Sequence, residues 1–323
     1  MRFAVIIGVI AGLTTGALWG LTFVAPRAVT PFTEYDLAVG RYLVFGLASL
    51  LLMFHKAFRP YGVALPDAAI AMLLGSVGYI FYFIATAFAV NLAGAAIPPL
   101  VIGLMPVALA IVGNISVPTV RFDRLAVPLV LIVAGLLLVN FGTLSRTGLP
   151  ADRYPLLLGI VWSFVALFIW IIYGYVNSIV MRRPNPPSAL AWAGLQGIGS
   201  AIGSLILLIF MFFFGGSYAL KLPEVSLSDP NLVRFIIWCL VMGVIGSWVA
   251  TWCWSIASAR LPLAVCAQLI VAETVFGLSF GFIFEGRTPY LSEAVGGTLQ
   301  IIGVMVTLYL FSRANNNEES RSI

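Results

Sequence analysis

The sequence predicts an all-α polytopic membrane protein, in which ten transmembrane helices form two inverted five-helix repeats around a central cavity. Three observations support this prediction: a very apolar composition, continuous apolar stretches of membrane-spanning length, and an odd number of such stretches in each half. Of the 323 residues, 61% are hydrophobic and only 9% are charged. Soluble domains average about 45–50% apolar and about 25% charged residues. The composition therefore excludes a soluble globular enzyme and a disordered protein.

The ten predicted helices follow from the lengths of the apolar runs. A helix needs about 20 mostly apolar residues to cross the hydrocarbon core of a bilayer. The runs in this chain are continuous and do not alternate with polar residues, which favours helices over a β-barrel. The predicted spans, numbered 1 to 10, cover residues 3–25, 35–55, 67–90, 93–114, 124–143, 154–180, 187–214, 231–258, 261–284 and 290–312.

The spans divide into two sets of five. The first repeat is predicted over residues 1–147 and the second over residues 148–312, followed by a disordered cytoplasmic tail at residues 313–323. Weak matches in the same order relate the halves, for example Trp19 in span 1 and Trp170 in span 6. Because five is an odd number, the second repeat must enter the membrane upside down. Many secondary transporters have this arrangement, which can open to either side of the membrane.

The distribution of basic residues predicts the orientation. Lys and Arg are more numerous at the end of the bundle that carries Arg2, Arg182 and Arg183 than at the end that carries Arg27 and Arg146. Cytoplasmic loops are enriched in Lys and Arg. The sequence thus predicts a multi-pass protein of the cell inner (plasma) membrane, with both termini in the cytoplasm.

Neither a cofactor nor a metal is predicted. Cys239, Cys253 and Cys266 lie within apolar runs and are interpreted as small packing residues. The single histidine, His55, lies at the end of an apolar run, far from the cysteines in sequence. No basic run exceeds two adjacent residues, which excludes a nucleic-acid partner. The predicted partners are a small-molecule substrate and membrane lipid.

Polar and aromatic side chains within the spans predict a substrate path. Such groups must face the bundle interior or a wet cavity, and residues three or four positions apart share a helical face. The predicted path residues, on spans 1, 3, 4, 6 and 8, are Thr15, Trp19, Tyr79, Tyr82, Phe83, Pro106, Ser163, Trp170, Tyr173, Trp248, Thr251 and Trp252. The alternative for each is a hydrogen bond between helices, or for the aromatic residues a place in the interfacial belt.

Glu273 is the residue that points most clearly to a functional site, because it lies near the middle of span 9. A charge at the bilayer centre costs at least a few kcal/mol unless it is paired, hydrated or neutralised. Three interpretations remain open: a group that binds and releases a proton, a partner for a cationic amine on the substrate, or a protonated carboxyl that hydrogen-bonds a neighbouring helix. Arg41 is closer to the end of span 2, with Asp36 about one turn away, and is interpreted as an interfacial anchor or a local ion pair.

A regular ladder of glycines lies in span 1. Gly8, Gly12, Gly16 and Gly20 recur at every fourth position and so share one helical face. Small residues at this spacing allow the backbone of another helix to approach closely. The ladder therefore predicts a tightly packed neighbour for span 1.

Several short motifs, taken in order, resemble a known family. They are Trp19-Gly20, Gly40-Arg41-Tyr42-Leu43, Ala85-Thr86-Ala87-Phe88, Pro106, Glu273, Glu285-Gly286-Arg287 and the glycine-rich last span. Together they resemble the drug/metabolite transporter superfamily, in its ten-span branch with two EamA-type repeats. Within that branch the chain is most similar to bacterial inner-membrane aromatic amino acid exporters. The resemblance implies a central cavity and export of small organic metabolites without ATP.

The predicted function is that of a secondary transporter which exports small organic metabolites by alternating access, with amino acids, including aromatic ones, as the leading substrates. Coupling to protons remains open. One alternative is an exporter of other small metabolites or drugs. A minor alternative is an intramembrane enzyme, which would need paired carboxylates, a His/Asp set or a metal site at a shared depth. Because Glu273 is the only carboxylate near the bilayer centre, we predict that the protein is not an enzyme.

Overall fold

The computed structural model of the protein describes residues 2–94, 97–118, 120–147, 153–214, 220, 221, 226 and 229–319. Over these ranges the regular structure is entirely helical, and ten segments are long and apolar enough to cross a membrane. They are Phe3–Phe23, Glu34–Leu52, Leu65–Ala93, Ile97–Ser116, Phe122–Gly142, Arg153–Met181, Ala189–Phe214, Pro230–Arg260, Leu263–Glu285 and Leu291–Arg313. Each boundary lies within about one helical turn of its prediction, so the predicted ten-span fold is confirmed.

Local capping determines where span 2 begins. The Oγ1 atom of Thr33 accepts a hydrogen bond of 3.1 Å from Asp36 N, and the carboxylate of Asp36 accepts one of 2.9 Å from Thr33 N. This reciprocal capping box satisfies two backbone donors at the helix start. The backbone N–H of Lys221 also donates to Asp36. Asp36 therefore stabilises the helix start and contacts Lys221 in the long loop before span 8, whereas the guanidinium of Arg41 donates to Ser247 and Gly246 of span 8.

Spans 3 and 8 each contain a π-helical segment. In span 3 it covers Ser76–Phe81, and in span 8 it covers Val241–Val249. A π-helical turn holds an extra residue relative to an α-helix and is frequent at functional sites. Spans 3 and 8 are the third spans of the two predicted repeats, so the halves share this irregularity at the corresponding place.

Spans 4 and 9 are both broken near their middle. Span 4 consists of helices Ile97–Ile102 and Met105–Ser116, and span 9 consists of helices Leu263–Leu269 and Val271–Glu285. Broken membrane helices are tolerated where the freed backbone groups meet protein or a water-filled cavity. These are the fourth spans of the two predicted repeats. The break in span 4 lies next to Pro106, as its prolines predict, whereas no sequence signal marks the break in span 9.

The last helix is longer than predicted. It runs from Leu291 to Glu319 and therefore includes the first part of the segment predicted to be a disordered tail. Residues 320–323 lie outside the described residues. The predicted boundary between the repeats, between residues 147 and 148, adjoins residues 148–152, which also lie outside the described residues.

The glycine ladder of span 1 packs along span 9. A Cβ atom placed on Gly16 would lie 2.9 Å from the backbone nitrogen of Glu273, and one on Gly20 would lie 2.8 Å from that of Gly277. Distances below about 3 Å are too short for real Cβ contacts, so only glycine permits this approach. The ladder thus holds span 1 directly against the helix that carries Glu273.

We predict that Gly16→Ala destabilises the protein. Overpacking a well-packed interface costs about 1–3 kcal/mol, which outweighs the gain of about 1 kcal/mol from replacing a helical glycine by alanine. Thermal unfolding of the purified protein in detergent measures the change. The matched control is Gly297→Ala, because a Cβ atom on Gly297 would meet nothing within 4 Å. Equal melting temperatures for the two variants would contradict this packing.

Candidate functional site

A cavity of about 600 Å³ lies in one half of the bundle. The residues that line it come from the C-terminal parts of spans 1, 3, 5 and 9 and from the N-terminal parts of spans 2, 4, 8 and 10, with Trp170 in the middle of span 6. These parts all lie toward the end of the bundle opposite the chain termini. At the termini end, the first helix of span 9, Leu263–Leu269, is buried at every residue. The cavity therefore lies toward the end of the bundle away from the termini.

Aromatic side chains form much of the cavity surface. Trp19 and Trp170 meet edge to face with ring centroids 5.0 Å apart, and Tyr82 meets Trp170 at 5.5 Å. Tyr42 and Tyr79 continue the surface, with centroids 5.7 Å apart. We call these five residues the aromatic wall. It offers faces on which a flat or apolar group can pack.

Two oppositely charged side chains face the cavity. Glu273 lies in the first turn of the second helix of span 9, where the positive end of the helix dipole favours a carboxylate. No hydrogen bond or ion pair within the described residues reaches this carboxylate. Arg41 also lines the cavity. The two side chains line the same cavity, yet no ion pair joins them in the part of the chain that the structure describes.

A chain of hydrogen bonds begins behind the aromatic wall. The hydroxyl of Tyr79 is 2.8 Å from that of Tyr173 and 2.7 Å from that of Thr251. The Tyr173 hydroxyl donates in turn to Gln196 Oε1 at 2.9 Å. These contacts tie spans 3, 6, 7 and 8 together. Tyr79 thus belongs both to the cavity surface and to the packed interior.

The chain of hydrogen bonds ends at a buried asparagine. The indole nitrogen of Trp192 donates to Asn177 Oδ1 at 2.7 Å, and Gln196 Nε2 donates to the same oxygen at 3.3 Å. Asn177 Nδ2 donates to Ser258 Oγ at 3.0 Å. All four side chains are buried, so their polar atoms depend on one another. This cluster fills the bundle on the termini side of the cavity.

Ion pairs border the mouth of the cavity. Arg287 binds Glu293 through both terminal nitrogens, at 2.8 and 2.9 Å, and also donates to Glu285, which pairs with Arg27. The hydrogen bonds that Arg287 donates to Glu293 and Glu285 raise the pKa of Arg287, so this guanidinium stays charged. The network connects the end of span 1 to the junction of spans 9 and 10. It shapes one rim of the opening.

Comparisons with known proteins agree with this architecture. Residues 157–309 match the EamA-like transporter family. The inner membrane protein YtfF of Escherichia coli (strain K12) is 30% identical over 307 residues, which cover 93% of this chain and 94% of that protein. The chain belongs to the EamA-like transporter family. A solved crystal structure with 17% identity superposes on this EamA-like protein with a TM-score of 0.72, covering 95% of this chain and 98% of the other.

Family membership makes the protein a membrane transporter of small molecules. It confirms the resemblance to the drug/metabolite transporters. The closer resemblance to aromatic amino acid exporters stays a prediction.

The structure brings one group of the predicted path residues to the cavity of this EamA-like transporter. The predicted residues that line it are Trp19, Tyr79, Tyr82, Phe83, Pro106, Trp170 and Glu273. They come from spans 1, 3, 4, 6 and 9. The site thus combines residues from both predicted repeats.

The other predicted path residues do not line the cavity. Thr15 and Ser163 donate to carbonyl oxygens of their own helices, and Tyr173 and Thr251 lie behind Tyr79. The indoles of Trp248 and Trp252 pack together at 6.1 Å, away from the lining residues. These six lie outside the lining of this cavity, and their place on the substrate path stays a prediction. A hydroxyl bonded within its own helix and one facing a cavity look alike in the sequence.

Arg41 and Tyr42 are lining residues that the prediction missed. Arg41 was interpreted as an anchor because it lies near a predicted span end, yet its side chain turns into the bundle and lines the cavity. It is the only basic residue within span 2. A basic residue inside a span is by default a functional candidate, and this signal was available in the sequence.

We predict that Asn177→Ala lowers the stability of the protein. The substitution leaves the buried donors of Trp192 and Gln196 without their shared acceptor, and each such loss costs about 1–3 kcal/mol. Thermal unfolding in detergent measures the effect. The control is Asn140→Ala, because the amide of Asn140 donates to Leu136 O in its own helix and lies at the cavity. A melting temperature for Asn177→Ala equal to that of Asn140→Ala would contradict the role of the cluster.

Proposed function

We propose that the protein is a secondary transporter that exports amino acids, including aromatic ones, across the inner membrane by alternating access. The observation that carries this proposal is Glu273, a carboxylate that has no partner among the described residues and faces a cavity beside the aromatic wall. A cavity of about 600 Å³ lies in the range of about 300–1,000 Å³ that is usual for small-molecule sites. It can hold a substrate that combines a cationic group with a flat apolar side chain.

The shape of the cavity supports alternating access. It lies toward one end of the bundle, while the first helix of span 9 is buried at the other end, and this asymmetry is compatible with one of the two end states of a carrier. The excess of Lys and Arg at the termini end supports termini in the cytoplasm, in which case the end that holds this cavity faces outward. The similarity to an inner membrane protein supports the same membrane for this chain.

The position of Glu273 favours a transport role over a structural one. A protonated carboxyl that stabilises a helix contact needs an acceptor, and none is found among the described neighbours of Glu273. Its carboxylate is instead accessible from the cavity, where it can meet an ammonium group or exchange a proton with water. Both roles are compatible with an exporter that exchanges substrate for protons.

A second candidate is an exporter of other small metabolites or drugs. The apolar part of the cavity surface, including Phe83, Pro98 and Ile102, favours it because such a surface does not discriminate strongly among apolar groups. Transport of a panel of labelled amino acids and hydrophobic cations into proteoliposomes, with and without a proton gradient, distinguishes the two. Uptake of the cations alone would contradict the amino acid proposal.

We predict that Glu273→Gln removes the pH dependence of transport between pH 5 and pH 8. The amide cannot bind or release a proton in this range, so a proton-coupled rate would become flat. Counterflow in proteoliposomes at fixed pH steps provides the measurement. Glu34→Gln is the matched control, because Glu34 is a second lining carboxylate but lies at the start of span 2, near the mouth. An unchanged pH profile for Glu273→Gln would reject its role as the proton site.

We also predict that Trp19→Ala raises the concentration of an aromatic substrate needed to inhibit uptake by about 3- to 10-fold, since an aromatic pair contributes about 0.5–1.5 kcal/mol. Inhibition of labelled substrate uptake by unlabelled phenylalanine measures the change. The control is Trp162→Ala, because Trp162 packs against Phe88 outside the set of lining residues. Normal competition in the Trp19 variant would mean that the aromatic wall does not contact the substrate.

A further inference from the structure

Span 8 holds the side chain of Arg41 in a defined place. The Nε atom of Arg41 donates to Ser247 Oγ at 2.8 Å, and Nη2 donates to the carbonyl oxygen of Gly246 at 3.0 Å. The guanidinium also lies 5.0 Å from the ring centroid of Tyr42. Two hydrogen bonds and a ring face therefore fix its orientation.

The π-helical segment of span 8 supplies both acceptors. The hydroxyl of Ser247 donates its own hydrogen to Met242 O, five residues earlier, at 2.8 Å. Because its only hydrogen is used there, the oxygen presents lone pairs to Arg41. Span 2 can come this close because Gly243 has no side chain, and a Cβ atom there would lie 2.6 Å from Arg41 O. The π-helical segment of span 8 thus provides the acceptors that hold the guanidinium of Arg41.

Part of the hydrogen-bonding capacity of Arg41 is unused. A guanidinium has five N–H donors, and the bonds to span 8 occupy one on Nε and one on Nη2. Among the residues that the structure describes, neither an acceptor for Nη1 nor a carboxylate paired with Arg41 is found. The side chain is half-buried and lines the cavity. A cation kept at this depth without an anion is costly.

The chemistry that completes this site is a carboxylate. Arginine binds carboxylates with two parallel hydrogen bonds, which are stronger than those between neutral groups. Glu273 lines the same cavity with a carboxyl group that also has no hydrogen-bond or ion-pair partner among the described residues. A ligand with one carboxylate and one ammonium group would satisfy both side chains, whereas a simple cation would satisfy only Glu273.

We infer that Arg41 forms the subsite for the carboxylate of a zwitterionic substrate and that the π-helical segment of span 8 positions it there. The inference rests on the proposed transport through this cavity and adds the residue that recognises the carboxylate, which distinguishes an α-amino acid from a plain amine. Ser247 is a positioning residue, since it acts on the ligand through Arg41.

The test compares phenylalanine with phenethylamine, which has the same ring and ammonium group but no carboxylate. Binding to the purified protein in nanodiscs is measured by isothermal titration, and transport by counterflow. For Arg41→Gln we expect phenylalanine affinity to fall by about 10- to 100-fold, because charge-assisted hydrogen bonds are lost. The affinity for phenethylamine should remain within about 3-fold of the wild-type value, since its contacts remain.

Further variants distinguish the positioning role of Ser247 from the charge of Arg41 and from effects on folding. Ser247→Ala keeps the guanidinium, so we expect it to lower the ratio of phenylalanine affinity to phenethylamine affinity less than Arg41→Gln does. For Arg41→Lys we expect a ratio between that of Arg41→Gln and that of the wild type. The control is Arg182→Gln, an exposed arginine at the termini end outside this cavity, which should leave the ratio unchanged. If Arg41→Gln does not fold, Ser247→Ala carries the same ratio test.

The outcomes are distinct. Equal loss of both ligands in the Arg41 and Ser247 variants, or no loss of either, would overturn the carboxylate subsite and leave the proposed transport of amino acids intact. Wild-type protein that binds phenethylamine but not phenylalanine would overturn the subsite and the amino acid proposal together. Wild-type protein that binds and transports neither would overturn the proposed function, and the subsite with it.

Discussion

Inside the hydrocarbon layer of a membrane, every polar group needs a protein partner or access to water. This constraint explains why the chain is helical, since helices satisfy their backbone groups internally. It also explains where the helices may be irregular. The breaks at Leu104 and Ile270 and the π-helical segment of span 3 all border the cavity, where exposed backbone can be hydrated.

The same constraint divides the interior into two kinds of region. Near Asn177, buried polar side chains satisfy one another and form a packed body. Near Glu273 and Arg41, neither side chain forms an ion pair within the described residues, and both face the cavity. Tyr79 connects the regions because its ring lines the cavity while its hydroxyl belongs to the packed body. A ligand that displaces this ring disturbs the hydrogen bonds behind it.

Most of the fold could be predicted from the sequence, because the length and continuity of the apolar runs follow directly from the thickness of the bilayer. Trp19, Tyr79 and Glu273 could also be predicted as lining residues, since large polar or aromatic groups in mid-span need an interior position. The rotation of each helix about its axis could not be predicted from the sequence. Spans 3 and 8 both carry polar and aromatic side chains in mid-span, so the sequence does not distinguish Tyr79, which lines the cavity, from Thr251, which lies behind it.

The π-helical segments bear on how the two ends of the bundle are linked mechanically. One residue of an α-helix corresponds to a turn of about 100°, so rewinding either segment to α geometry would swivel one end of its span against the other. In span 3 such a swivel would turn the Tyr79 ring out of the cavity, and in span 8 it would withdraw the two oxygens that hold Arg41. A single rotation of this kind would change both the surface of the cavity and the packing at the opposite end of the span.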